Sequence, residues 1–209
     1  LADPPGEDRR ADGAGQLALE AEARNDNEGA EAALAQAREV APSAARPWVQ
    51  AGQRHARAAR HLQALEAWNQ LRLRHPAVFP LVASDYAASS KAVAQSGEAL
   101  AALQALHTQH PSSDLMAAIV ALEGDAAQAR ARHAEQLARQ PSLAAAAAVL
   151  RDRAEDDTGR ALASVVERAA APLARFRCAA CGFEAQRYFW QCPGCMSWDS
   201  FPPQRLEDQ

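Results

Sequence analysis

The chain has 209 residues, 22 basic against 26 acidic, and a net charge of -4. That length fits one ordinary domain, or a short repeat array with a small extra module. With 54 alanines, 10 glycines, 12 prolines and 5% aromatic residues the chain is strongly helix-forming. Its interspersed charges carry neither the signature of disorder nor a basic nucleic-acid footprint. The best candidate for a long apolar run, Leu143 to Leu150, is too short to cross a bilayer.

Residues 1–14 read as a Pro/Gly/Asp/Arg-rich linker or the end of a preceding repeat, with Gly13-Ala14-Gly15 part of that leader. The chain starts at Leu1 without a methionine, so a natural N-terminus further upstream is expected.

From residue 15 to 174 a proline closes each of four helical stretches: Pro42, Pro76, Pro111 and Pro141. Their spacing is close to the 34 residues of the tetratricopeptide repeat, a helix-turn-helix unit whose closing proline stops the second helix. The units run about 15–44, 45–78, 79–113 and 114–142, followed by a capping pair at 143–174. In the second unit Trp48 takes the usual aromatic position of the first helix, and Gly52 the small position where two helices approach. Ala64, Trp68 and Leu71 face the core of its second helix. Ala30, Leu34 and Ala37 repeat that phase before Pro42, and Ala99, Leu103 and Leu106 before Pro111. The third unit departs from the pattern with Tyr86 in place of glycine and one extra residue. In the fourth, Gly124-Asp125 forms a tight turn between helices at Leu115 to Leu122 and Ala126 to Arg139. The last pair falls at about Leu143 to Arg153 and Asp157 to Ala171. A plain helical bundle is the alternative, but small and large residues recur at matching phases against three successive prolines.

Stacked repeats leave a groove lined by first helices, a surface for proteins and not a catalytic cleft. On that geometry Arg46, Val49, Gln53 and Arg57 are candidate partner-binding residues, although a solvated helix face has the same composition. The six histidines are scattered among alanine and arginine with no ligand or general-base spacing. Walker, dinucleotide, nucleophile-elbow and zincin patterns are all missing from the sequence. A non-enzymatic protein is therefore expected.

At Phe176 the composition changes. Residues 175–209 hold all four cysteines and seven of the eleven aromatics, with no alanine after Ala185. Cys178-x2-Cys181 and Cys192-x2-Cys195 are two hooks, each of which curls the backbone to aim two sulfurs at one point. Gly182 and Pro193-Gly194 supply the turns. Phe183, Tyr188, Phe189 and Trp190 are expected to alternate in a short β-rich stretch giving the site an apolar shell. A module this small folds on its metal, which contributes of order 10–16 kcal/mol when it is structural zinc. Disulfides are the competing reading, disfavoured by the knuckle spacing and the cysteine-free body. A tetrahedron of four sulfurs suits zinc and mononuclear iron alike.

A tetratricopeptide body running into Arg175-Phe176-Arg177-Cys178-x2-Cys181-Gly182-Phe183, then Tyr188-Phe189-Trp190-x-Cys192-Pro193-x-Cys195-x2-Trp198, resembles the lipopolysaccharide assembly protein B family. The resemblance implies an all-α tetratricopeptide-like repeat array, an α-solenoid, ending in a rubredoxin-like or zinc-ribbon β module. It implies one metal ion held by Cys178, Cys181, Cys192 and Cys195, with iron favoured and zinc possible. It also implies an adaptor on the cytoplasmic side of the bacterial inner membrane, held there by an N-terminal anchor outside this sequence. The implied partners are a membrane ATP-dependent protease, the lipid A deacetylase presented to it for proteolysis, and other lipopolysaccharide enzymes. Two other classes stand beside it. A rubredoxin-like electron carrier needs a reversible iron couple. A zinc-ribbon nucleic-acid binder rests on Arg175, Arg177 and Arg187, opposed by Glu184, Asp199, Glu207 and Asp208, and no nucleic acid is expected as a partner.

Overall fold

The computed structural model describes residues 17, 18, 20, 21, 23, 24 and 26–209, so the leader at 1–14 and the start of the first repeat lie outside the described residues. The chain divides into two compact units, one reaching Ala99 and one running from Leu100 to Gln209.

In the first unit, α1 (Asn27–Val40) starts at Asp26, whose carboxylate accepts from the Gly29 amide. Helix α2 (Arg46–Arg57) opens with Pro47, placed where the missing amide costs nothing. Helix α3 (His61–Arg74) packs back against it. The two approach closely because position 52 is glycine: a Cβ there would lie 2.1 Å from Trp68 Nε1. Trp68, Leu71 and Ala64 are fully buried, at the phase the sequence assigns to core positions. Leu34 of α1, with Ala18, Ala51 and Ala67, forms one apolar cluster. Trp48 is only half-buried, with the guanidinium groups of Arg38 and Arg74 at 5.2 and 5.5 Å from its ring centre.

The extra residue and Tyr86 of the third unit find their explanation at its start. A 3-10 turn, Phe79–Val82, precedes α4 (Ala83–Ala92). Tyr86 is buried edge-on against Phe79, ring centres 5.2 Å apart, and its hydroxyl donates to Asn69 Oδ1 at 3.0 Å.

Helix α5 (Ser96–Gln109) carries Ala99, Leu103 and Leu106 on its buried face. The turns inside three successive helix pairs each use a left-handed residue, Ala59, Ala94 and Gly124, with φ of 57, 59 and 69°. At the first two, the next amide reaches back five residues, Arg60 N to His55 O and Gln95 N to Ser90 O. Only at Gly124 does the sequence signal the turn with glycine, since that geometry is strained for alanine.

The second unit continues with α6 (Ser113–Glu123), α7 (Ala126–Arg139), α8 (Leu143–Asp152) and α9 (Asp157–Ala170). Ser112, Asp125, Ser142 and Asp156 cap them, each side chain accepting from an amide two or three residues on. Helix α7 has no fully buried residue and is tied by polar contacts instead. Arg132 reaches Glu123 at 3.0 Å, and His133 Nδ1 lies 2.6 Å from Asp152 Oδ2. This His–Asp contact spans 19 positions and leaves no local spacing signal in the sequence. Among the described residues no helix is long and apolar enough to cross a membrane.

Candidate metal centre

After α9 the chain enters a small β module. Strand β1 (Phe176–Arg177) pairs antiparallel with β2 (Glu184–Ala185), and a single bridge joins Gln191 to Trp198. The strands are shorter than the aromatic pattern predicts. Residues 186–190 are irregular, and Phe183 is exposed. The apolar shell is built instead on Tyr188, whose ring meets Phe176, Trp190 and Phe201 at 5.7, 5.0 and 6.3 Å. Phe176 and Phe201 are its buried members.

Two backbone knuckles follow the same plan. In the first, Gly182 N donates to Cys178 O and Cys178 N to Phe183 O; in the second, Met196 N donates to Cys192 O and Cys192 N to Ser197 O. Both end on a left-handed residue, Gly182 at φ 78° and Met196 at φ 61°. The geometry that glycine adopts freely is thus imposed on methionine in the second knuckle, a strain held by the pair of amide bonds around it.

The knuckles bring all four sulfurs together, every pair within 4.8 Å. Cys178 and Cys195 are 3.9 Å apart and Cys181 and Cys192 3.7 Å. A tetrahedron with metal–sulfur bonds of about 2.3 Å has edges of about 3.8 Å, so the donor set fits one ion as it stands. A disulfide needs about 2.05 Å, and all four cysteines are free. The site is a single-metal centre of four cysteines whose donors suit zinc or iron. Cys178 and Cys192 are buried, Cys181 and Cys195 exposed, so one edge of the site faces outward.

Two serines that the spacing of the hooks does not reveal complete the surroundings. Ser200 Oγ lies 3.2 Å from Cys178 Sγ and Ser197 Oγ 3.3 Å from Cys195 Sγ, while the Gly194 amide donates to Cys192 Sγ at 3.4 Å. The Ser200 hydroxyl lowers the Cys178 thiol to about 6, with help from the Cys181 and Ala180 amides against some desolvation. Ser197, through hydroxyl and amide, lowers Cys195. Cys181 is different. The Phe183 amide favours its thiolate, but hydrogen bonding to Cys195, desolvation and the other two sulfurs outweigh it and push it up to about 12. Four anions cannot share one point without a cation, so the metal-free site keeps a proton that binding must release.

Arg175 and Arg177 both pair with Glu184, at 3.5 and 2.6 Å, and Arg187 lies over the Phe189 ring at 4.6 Å. The arginines read as a possible phosphate patch are therefore engaged within the module. Of the residues read as groove positions, Arg46 and Val49 are buried, Gln53 is half-buried and Arg57 is exposed. All four belong to α2 in the first unit, whereas the metal centre belongs to the second.

Residues 176–203 match the family model of the LapB zinc ribbon, described as a rubredoxin metal binding domain. No curated protein matches the chain. The match covers the metal module, and the helical repeats before it are consistent with the same family.

Proposed function

We propose that the protein is a non-enzymatic adaptor of the lipopolysaccharide assembly protein B kind, whose repeats dock proteins and whose metal module completes the docking body. The observation that carries this reading is a four-cysteine ribbon matching that family, fused directly to a helical repeat body. Repeat arrays present extended surfaces for proteins. A structural metal fixes a small module that cannot bury a sufficient core of its own. In this reading the adaptor works at the cytoplasmic face of the inner membrane. There it presents the lipid A deacetylase to a membrane ATP-dependent protease and gathers other lipopolysaccharide enzymes.

Affinity capture from the native membranes tests it, with wild type beside Cys178→Ser/Cys181→Ser and captured proteins identified by mass spectrometry. A protease and lipid A enzymes retained by wild type and depleted at least about tenfold with the variant support the adaptor. Equal capture by both would remove the metal module from docking, and absence of these enzymes from both would remove the adaptor.

Electron transfer is a second reading, favoured by one observation: Cys181 and Cys195 form an exposed edge of the centre. A reversible iron couple in the natively purified protein would favour it, and a native zinc centre would end it, because zinc has no redox chemistry.

A further inference from the structure

The last residues of the chain lie beyond the part that matches the ribbon family, and they run back over the helices of their own unit. Two carboxylates there meet two helix starts. Asp208 accepts from Ser113 N, 3.1 Å to each oxygen, and from Ser113 Oγ at 2.7 Å. Glu207 Oε1 accepts from Ala144 N at 2.7 Å. Ser113 is the first residue of α6, and Ala144 is the second of α8. Amides in a helix's first turn have no intrahelical acceptor, and the helix dipole favours negative charge there. Each start is also capped from within by Ser112 or Ser142. The tail carboxylates therefore supply acceptors that these two amides otherwise lack.

The neighbouring residue adds a cation. Arg205 Nε donates to both Asp114 oxygens, at 3.0 and 2.8 Å, and its guanidinium lies 4.8 Å from the centre of the Phe176 ring in β1. The same segment is tied to the entry of the metal module: Leu206 N donates to Arg175 O, Glu207 N to Leu173 O, and Arg205 Nη1 to Ala174 O. Beneath it is a cavity of about 300 Å³ lined in part by Met116, Ala117, Ala145 and Ala148. A short C-terminal tail thus joins the module's entry strand, its exit and the starts of two repeat helices.

We propose that Arg205–Asp208 is a latch that transmits the state of the metal centre to the repeats. With the ion held between the knuckles, the chain leaving Cys195 is fixed and the carboxylates sit on α6 and α8. Without it, the module loosens, the latch lifts, and the two helix starts and the cavity beneath are uncovered. The inference rests on the metal module being the closing piece of the docking body, and it goes further by naming the contact and its partner surface.

Hydrogen exchange on the full chain reads the latch directly, because protection of the Ser113 and Ala144 amides has no source in their own helices. The comparison is metal-loaded wild type, the same protein after chelation, and metal-loaded Glu207→Ala/Asp208→Ala with its metal content verified. The two amides are expected to exchange about tenfold faster in both the chelated protein and the variant, while amides inside α6 and α8 stay protected. Unchanged exchange at Ser113 and Ala144 in the metal-loaded variant overturns the latch. Loss in the variant without loss on chelation overturns its coupling to the metal. Glu207→Gln/Asp208→Asn, which keeps an acceptor at each site, is expected to retain most of the protection; full loss would also count against the proposal. These outcomes are independent of partner capture, so an adaptor reading that failed would leave the latch standing.

Discussion

The helical body and the metal module reach order by opposite routes. In the body, Leu34, Trp68, Leu71 and Leu103 lie almost wholly out of water, and most of the other buried hydrophobic residues described are alanine. Its stability is area removed from water, distributed over many small contacts. The module has two strands of two residues and two buried rings, Phe176 and Phe201, around four sulfurs. Its order is concentrated at one point. A distributed core loses stability in increments, whereas a module built on one ion loses it in a single step.

The largest expected effect divides the two regions outright. Cys192→Ser removes a buried ligand and leaves three sulfurs around the ion. The module is expected to lose its metal and its fold, a local loss of order 10 kcal/mol, while far-UV circular dichroism keeps the helical signal. Metal content and the helical melting curve, recorded together, check this. A helical body that melted along with the module would break the division.

A smaller effect comes from the opposite side. Gly52→Ala drives a methyl group into the Trp68 indole, where an ideal Cβ sits 2.1 Å from Nε1. The indole is fully buried, so the strain has no outlet to solvent. A loss of about 2–3 kcal/mol in chemical denaturation is expected, net of the better helix propensity of alanine. Metal uptake should be unchanged, and a variant as stable as wild type would show that the crossing of α2 and α3 relaxes freely.

The smallest effect sharpens the account of the centre. Cys178 is lowered to about 6, first by the Ser200 hydroxyl. Above that pH its thiolate is already formed and a metal displaces no proton from it. Below, every fall in pH adds a proton that the metal must expel, so affinity should fall more steeply with acidification. Competition with a chromophoric chelator from about pH 5 to about pH 8 reads the break. Ser200→Ala should move it upward, toward the ordinary thiol range, and a break that stayed in place would remove Ser200 from thiolate stabilisation.

The metal ligands were legible because their signal is local: a hook is four residues long, and two hooks define the donor set wherever the chain carries them. The helix pairs were legible for a related reason, since closing prolines and the Gly124-Asp125 turn act within one turn. The aromatic stretch was not. Phe183 to Trp190 reads as alternating β residues, yet the rings of Tyr188 and Phe201 converge from segments that pair little backbone. The serines beside Cys178 and Cys195 also escaped, because a serine near a hook has the composition of any turn. Arg46 and Val49 show the same limit from the other side: position on a first helix marks them as surface-facing, and packing buries them.

The sequence by itself determined where prolines close the helices, the turn at Gly124 and the identity of the four ligands, all properties set within a few residues by backbone geometry and side-chain chemistry. Only the tertiary structure decided that Asp208 meets Ser113 across 95 positions, that Glu207 meets Ala144 across 63, and that His133 meets Asp152. Such contacts depend on where whole helices come to rest, and a helix start offers the same open amides to any carboxylate that the fold carries to it.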